Sequence, residues 1–152
     1  MKIDAHAFTL KYDGITDKVI TNITIYNNNM KISGKGLWDT GATFSCISKQ
    51  VAKALNLTPT GYINIITPSG LSTQPTYMVS IDLPNLVTFE TIRVCESEIG
   101  KQGIEMLIGM DIISKGNFSL SNFEGKTVFS YAFPSFVHTD FTDNTHDLSV
   151  II

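Results

Sequence analysis

Only two cysteines occur in the 152 residues, Cys46 and Cys95. That is too few for a disulfide framework, and they lack the close spacing of a metal site. Charged side chains are scarce at 16%, against ~25% in a typical soluble domain. The formal net charge is -3, so there is no basic excess to attract a phosphate backbone and nucleic acid is not an expected partner. No stretch approaches the ~20 apolar residues of a membrane span. The N-terminus, Met1-Lys2-Ile3-Asp4-Ala5-His6, lacks the apolar core of roughly 7–15 residues that marks a secretory signal. Together these absences predict a cytoplasmic protein with no membrane partner. Internal repeats and low-complexity linkers are also missing.

What is present is an ordinary apolar content, 43%, in a chain of one-domain length. Alternation dominates the pattern. Ile23-Thr24-Ile25-Tyr26, Tyr77 to Leu83 and Val128 to Phe133 all repeat with period two and are rich in β-branched and aromatic residues, the signature of half-buried strands. Turn formers separate these runs at Asp13-Gly14, Asn27-Asn28-Asn29, Pro68-Ser69-Gly70, Pro84-Asn85 and Glu124-Gly125-Lys126. Short strands spaced in this way predict an all-β barrel or sandwich. Two short helices interrupt it. Ser48 is placed to cap Lys49 to Asn56, where Val51, Ala52 and Leu55 share a face. A second helix is expected from Asp111 to Lys115, stopping at Gly116 as a left-handed cap. Composition turns polar after Pro134 and then apolar again at Leu148-Ser149-Val150-Ile151-Ile152. The expected division is a domain over residues 1–135 and a tail over 136–152.

Asp39-Thr40-Gly41-Ala42, entered from Leu37-Trp38, is the chemically informative stretch. Asp, Thr and Gly are all turn formers, so a plain turn explains it as well. Read as chemistry, it places a carboxylate at a tight turn with a hydroxyl and a glycine behind it. Water activation between two aspartates needs a second carboxylate. The motif occurs once, in a chain too short for two fused lobes, so the catalytic reading requires a homodimer. Further along, Met106-Leu107-Ile108-Gly109-Met110-Asp111 leads apolar residues through a glycine into the second helix. Between the two lies Tyr62 to Gln74, a predicted hairpin with Thr67-Pro68-Ser69-Gly70 as its turn. Such a hairpin serves either as a surface element or as a flap over a cleft.

Apolar pair, Asp-Thr-Gly-Ala, hairpin, then apolar-apolar-Gly-helix is the running order of retroviral-type aspartic peptidases. The chain resembles the retropepsin-like family, and especially its bacterial single-domain members, over roughly residues 1–135. Gly109 to Ile113 and Asn122 to Ser130 add to the likeness. The resemblance implies a closed β-barrel, a single lobe of the acid protease fold. It implies a homodimeric aspartic endopeptidase that hydrolyses peptide or protein substrates with no metal and no other cofactor. Asp39 would be the catalytic residue. Thr40 would bond across the two-fold axis, and Gly41 would present backbone groups to the substrate. Ala42 would complete the loop, and Gly109 would pack behind it. Ile66, Thr67, Pro68, Ser69, Gly70 and Leu71 would form the flap tip. Two positions depart from the retroviral pattern: Thr43 stands where an acidic residue is usual, and Met110 where a basic one is. In the retroviral enzymes those two residues form an ion pair near the substrate cleft, and here both halves are missing together. Ala42 also lacks the hydroxyl donor that follows the motif in pepsin-like sites, which predicts a mildly acidic optimum of roughly pH 5–6.

The remaining candidates have bland readings. His6, His138 and His146 are scattered, without placed partners. Cys46 reads as a small core residue and Trp38 as a core or interface residue. Residues 148–152 are expected to pair as a strand at the dimer interface, because an exposed run of that kind invites aggregation. Two alternatives stand beside the peptidase: a non-catalytic peptide-binding or dimerisation module of the same fold, and an unrelated β-domain whose motifs are turns.

Overall fold

The structure is a computed structural model that describes residues 4–142. The alternating runs form strands, and strands dominate. In chain order the elements are β1 (His6–Lys11), β2 (Ile20–Asn27), β3 (Met30–Trp38), β4 (Cys46–Ser48), α1 (Lys49–Ala54), β5 (Gly61–Thr67), β6 (Gly70–Leu83), β7 (Val87–Ser97), β8 (Met106–Ile108), α2 (Met110–Ile113), β9 (Asn117–Ser121) and β10 (Val128–Phe133).

Seven of the strands make one sheet in the order β2-β3-β8-β4-β7-β6-β5, and β2 also pairs with β6. That extra pairing, through Thr24↔Asp82, Ile25↔Ile81 and Tyr26↔Ser80, closes β2, β3, β8, β4, β7 and β6 into a barrel. Closure removes the exposed edges that an open sheet would leave. The inward positions are Ile23 and Ile25 on β2, Ile47 on β4, Val79 and Ile81 on β6, Val94 on β7, and Met106 and Ile108 on β8, all buried. Full burial of such a side chain stabilises the fold by about 1.5–3 kcal/mol.

The barrel is covered on one side by a three-stranded antiparallel sheet, β1-β10-β9. It is stapled by an aromatic cluster. Trp38 lies 5.0 Å from Phe129 and 4.8 Å from Tyr131, centroid to centroid, and Phe8 and Phe118 complete the group. Trp38 is buried here, with its indole N–H donating to Thr21 Oγ1 at 3.0 Å. It is a core residue.

Ser48 caps α1 as expected, its hydroxyl accepting from Val51 N at 3.2 Å. The helix stops at Ala54, short of Asn56, which turns to φ 50. The second helix differs from the expectation. It spans Met110–Ile113 and ends on Ser114 in the right-handed region. Gly116 is not a left-handed cap. It is needed because a Cβ there would run into the Ala132 carbonyl and the Tyr131 ring. Close approach of β10, rather than backbone handedness, demands the glycine. The expected strand at 148–152 lies outside the described residues.

Candidate active site

β3 and β8 run parallel, with Gly36↔Met106, Leu37↔Leu107 and Trp38↔Ile108 in register. The next residue on each strand is therefore Asp39 on one and Gly109 on the other. Matched strand ends, not proximity in sequence, bring the two motifs together. The ladder continues one step further, since Asp39 N donates to Ile108 O at 2.9 Å. β4 pairs with β8 on its other side, through Cys46↔Leu107 and Ile47↔Met106. The segment between Trp38 and Cys46 is thus pinned at both ends to the same central strand.

Within that loop the Asp39 carboxylate is half-buried and accepts from Gly41 N through Oδ1 at 2.8 Å. The backbone closes with Ala42 N donating to Asp39 O at 3.2 Å. Ala42 O in turn accepts from Met110 N at 2.8 Å. Thr40 and Gly41 are exposed and Ala42 is half-buried. Gly109 is buried directly behind the loop. A Cβ on it would sit 2.8 Å from the Phe44 carbonyl carbon and 2.9 Å from Ala42 O, both backbone atoms.

Sequence reasoning missed two residues that hold this loop. Ser45 is completely buried, and its hydroxyl accepts from Gly109 N at 3.0 Å and donates to Asp111 Oδ1 at 2.7 Å. The Asp111 carboxylate also accepts from Ser45 N at 3.0 Å and from Ile112 N at 3.0 Å. Asp111 therefore fastens the start of α2 to the far end of the Asp39 loop. The available signal was an acid in the first turn of a helix that follows a glycine. Its partner, distant in the chain, left no local trace.

The structure does not bring the hairpin tip to this loop. β5 pairs only with β6 and projects from the end of the sheet. Thr67 and Gly70 are its last partners, Pro68 and Ser69 make the turn, and Gly70 takes φ 115. Thr67 Oγ1 donates to Gly70 O at 2.9 Å. Ile66 is 91% exposed and Leu71 73%. Met110 and Phe44 add further exposed apolar surface beside the Asp39 loop. A cavity of about 260 Å³ lies behind Phe44, lined also by Ile63, Ile92, Val94, Cys95 and Ile112. Among the described residues no group of three or more His, Cys, Asp or Glu side chains is arranged to hold a metal, and no helix is long and apolar enough to cross a membrane.

Comparison with known proteins identifies the family and the fold. A family profile described as aspartyl protease matches residues 22–112, which spans β2 to α2 and both halves of the site. A retropepsin-like aspartic protease from Rickettsia conorii is 19% identical, with a TM-score of 0.51 over 87% of this chain and 98% of that one. The EIAV protease, solved with an inhibitor, is 18% identical with a TM-score of 0.49, over 64% and 86% of the two chains. The simian foamy virus protease is 18% identical with a TM-score of 0.48, over 63% and 92%. No curated protein matches the sequence. The fold is retropepsin-like, and the chain belongs to the aspartyl protease family.

Proposed function

We propose that this aspartyl protease family member is an endopeptidase that works as a homodimer, each subunit contributing Asp39. One observation carries the reading. The half-buried Asp39 carboxylate stands at the end of the paired strands β3 and β8 with one in-chain donor, Gly41 N, while Thr40 beside it is exposed. A single such carboxylate lacks the partner that aspartate-activated hydrolysis needs. A two-fold axis through the loop supplies it, with Thr40 bonding across the axis.

Two carboxylates brought within about 3 Å cannot both ionise, so the pair shares one proton. The ionised Asp39 accepts a proton from water as the oxygen attacks the scissile carbonyl. The protonated partner donates to the carbonyl oxygen. The tetrahedral carbon then expels the amine, which leaves with a proton from the pair. Gly41 offers its backbone to the substrate strand. Ile66, Thr67, Pro68, Ser69, Gly70 and Leu71 fold over the substrate as a flap, and the exposed apolar side chains of Ile66 and Leu71 fit that use. The peptidase domain comprises residues 1–135.

Two measurements test this. The chain should sediment at twice its monomer mass at micromolar concentration. Asp39→Asn should abolish cleavage of a peptide library while leaving fold and dimer intact, because an amide cannot act as the base. A strict monomer, or equal cleavage by both proteins, overturns the proposal.

A further inference from the structure

The two cysteines, far apart in sequence, are direct register partners. β4 runs parallel to β7, with Cys46↔Cys95, Ile47↔Glu96 and Ser48↔Ser97 aligned. Neighbouring strands lie about 4.8 Å apart, inside the span of roughly 4.4–6.8 Å that a disulfide bridges between Cα atoms. Both side chains leave the sheet on the same face, and the two sulfurs are in contact at 2.6 Å as thiols. Cys95 is buried, while Cys46 is only half-buried, so one sulfur is within reach of a small oxidant. Cys95 also lines the cavity behind Phe44. The thiols share their protons unevenly. The hydrogen bond from Cys46 favours the Cys95 thiolate and draws that thiol below its ordinary range. The same bond, with burial, pushes Cys46 up.

We propose that Cys46 and Cys95 form a reversible disulfide that locks β4 to β7 behind the Asp39 loop. The oxidant is a peroxide. The Cys95 thiol gives up its proton and its thiolate attacks a peroxide oxygen; the O–O bond breaks, the expelled hydroxide takes up that proton, and a sulfenic acid and water result. The Cys46 thiol then attacks the sulfenic sulfur and passes its proton to the departing oxygen as the S–O bond breaks, so that a second water leaves. In sum, two thiols and hydrogen peroxide give one disulfide and two waters, and a dithiol reductant reverses the change. The location gives the bond its consequence. Cys46 directly follows Ser45, whose hydroxyl and N–H join Gly109 and Asp111 to the loop. Cys95 N donates to Ser45 O at 3.0 Å. A covalent tie at this point fixes the loop's rear support.

The test does not depend on peptidase activity. Native protein is treated with a small excess of hydrogen peroxide, quenched, and mapped by non-reducing peptide mass spectrometry, and its melting temperature is measured. The expected product is an intramolecular 46–95 cross-link with a loss of two hydrogens. It should melt about 5–10 °C higher, through loop closure in the unfolded chain, and revert on dithiothreitol treatment. Cys46→Ala should show neither cross-link nor shift. Persistence of free thiols, cross-linking between chains, or oxidation of either cysteine to sulfinic acid in place of the bridge overturns the proposal.

Discussion

Asp111 fills its carboxylate with three donors, Ser45 N, Ser45 Oγ and Ile112 N. Hydrogen bonds to a charged acceptor contribute about 1.5–3 kcal/mol each, and leaving buried donors unpaired costs about 1–3 kcal/mol. Asp111→Ala should therefore destabilise the chain by about 2–4 kcal/mol in urea denaturation. Activity should fall with it, because Gly109 and the Asp39 loop lose their anchor. Asp111→Asn keeps a carbonyl acceptor and should lose less. Equal stability of all three proteins would remove Asp111 from the account. A second residue-scale prediction concerns alkali. The Tyr77 phenol is pushed up to about 12, first by burial and then by its hydrogen bond to Glu96. An unfolded tyrosine titrates near ~10. Between those values the folded state holds the extra proton. This contribution to stability is full below pH ~10 and is lost as pH rises to about 12. Tyr77→Phe should lose less stability than wild type when denaturation at about pH 9 is compared with about pH 11.5.

The hairpin of β5 and β6 and the strand-to-helix joint make opposite predictions at the scale of elements. Ile66 and Leu71 sit at the exposed hairpin tip. Ile66→Ser with Leu71→Ser should leave stability within about 0.5 kcal/mol. Peptide cleavage should fall about tenfold or more, read as kcat/KM, if the tip closes on substrate. Gly109→Ala, in contrast, drives a methyl into the backbone of Ala42 and Phe44. It should destabilise the fold by about 1–3 kcal/mol or more, measured by thermal unfolding. These elements differ in how legible they were. Period-two runs disclosed β2, β6 and β10, and Ser48 announced α1, because burial of one face and an orphaned N–H both leave local marks. The clamp between Ser45 and Asp111, the facing of Cys46 by Cys95, and the contact that makes Gly116 a glycine leave none. Each arises where strands distant in sequence are laid side by side, and only strand order reveals it. β3 was obscured for a related reason: Gly34 and Gly36 interrupt its alternation.

For the whole molecule, the sequence order of motif, hairpin and second motif was enough to indicate the retropepsin-like barrel. The route by which β8 slots between β3 and β4 to build the site was not legible. The central claim is that one active site needs two chains. It is tested most directly by mixing wild type with Asp39→Asn at fixed total protein, unfolding and refolding the mixture to randomise pairs, and measuring peptide cleavage across the mixing ratio. If both carboxylates are required, only wild-type pairs work. Activity should then follow the square of the wild-type fraction, falling to about one quarter in an equal mixture. A linear decline, with about one half remaining in the equal mixture, would show that each chain acts alone and would contradict the account.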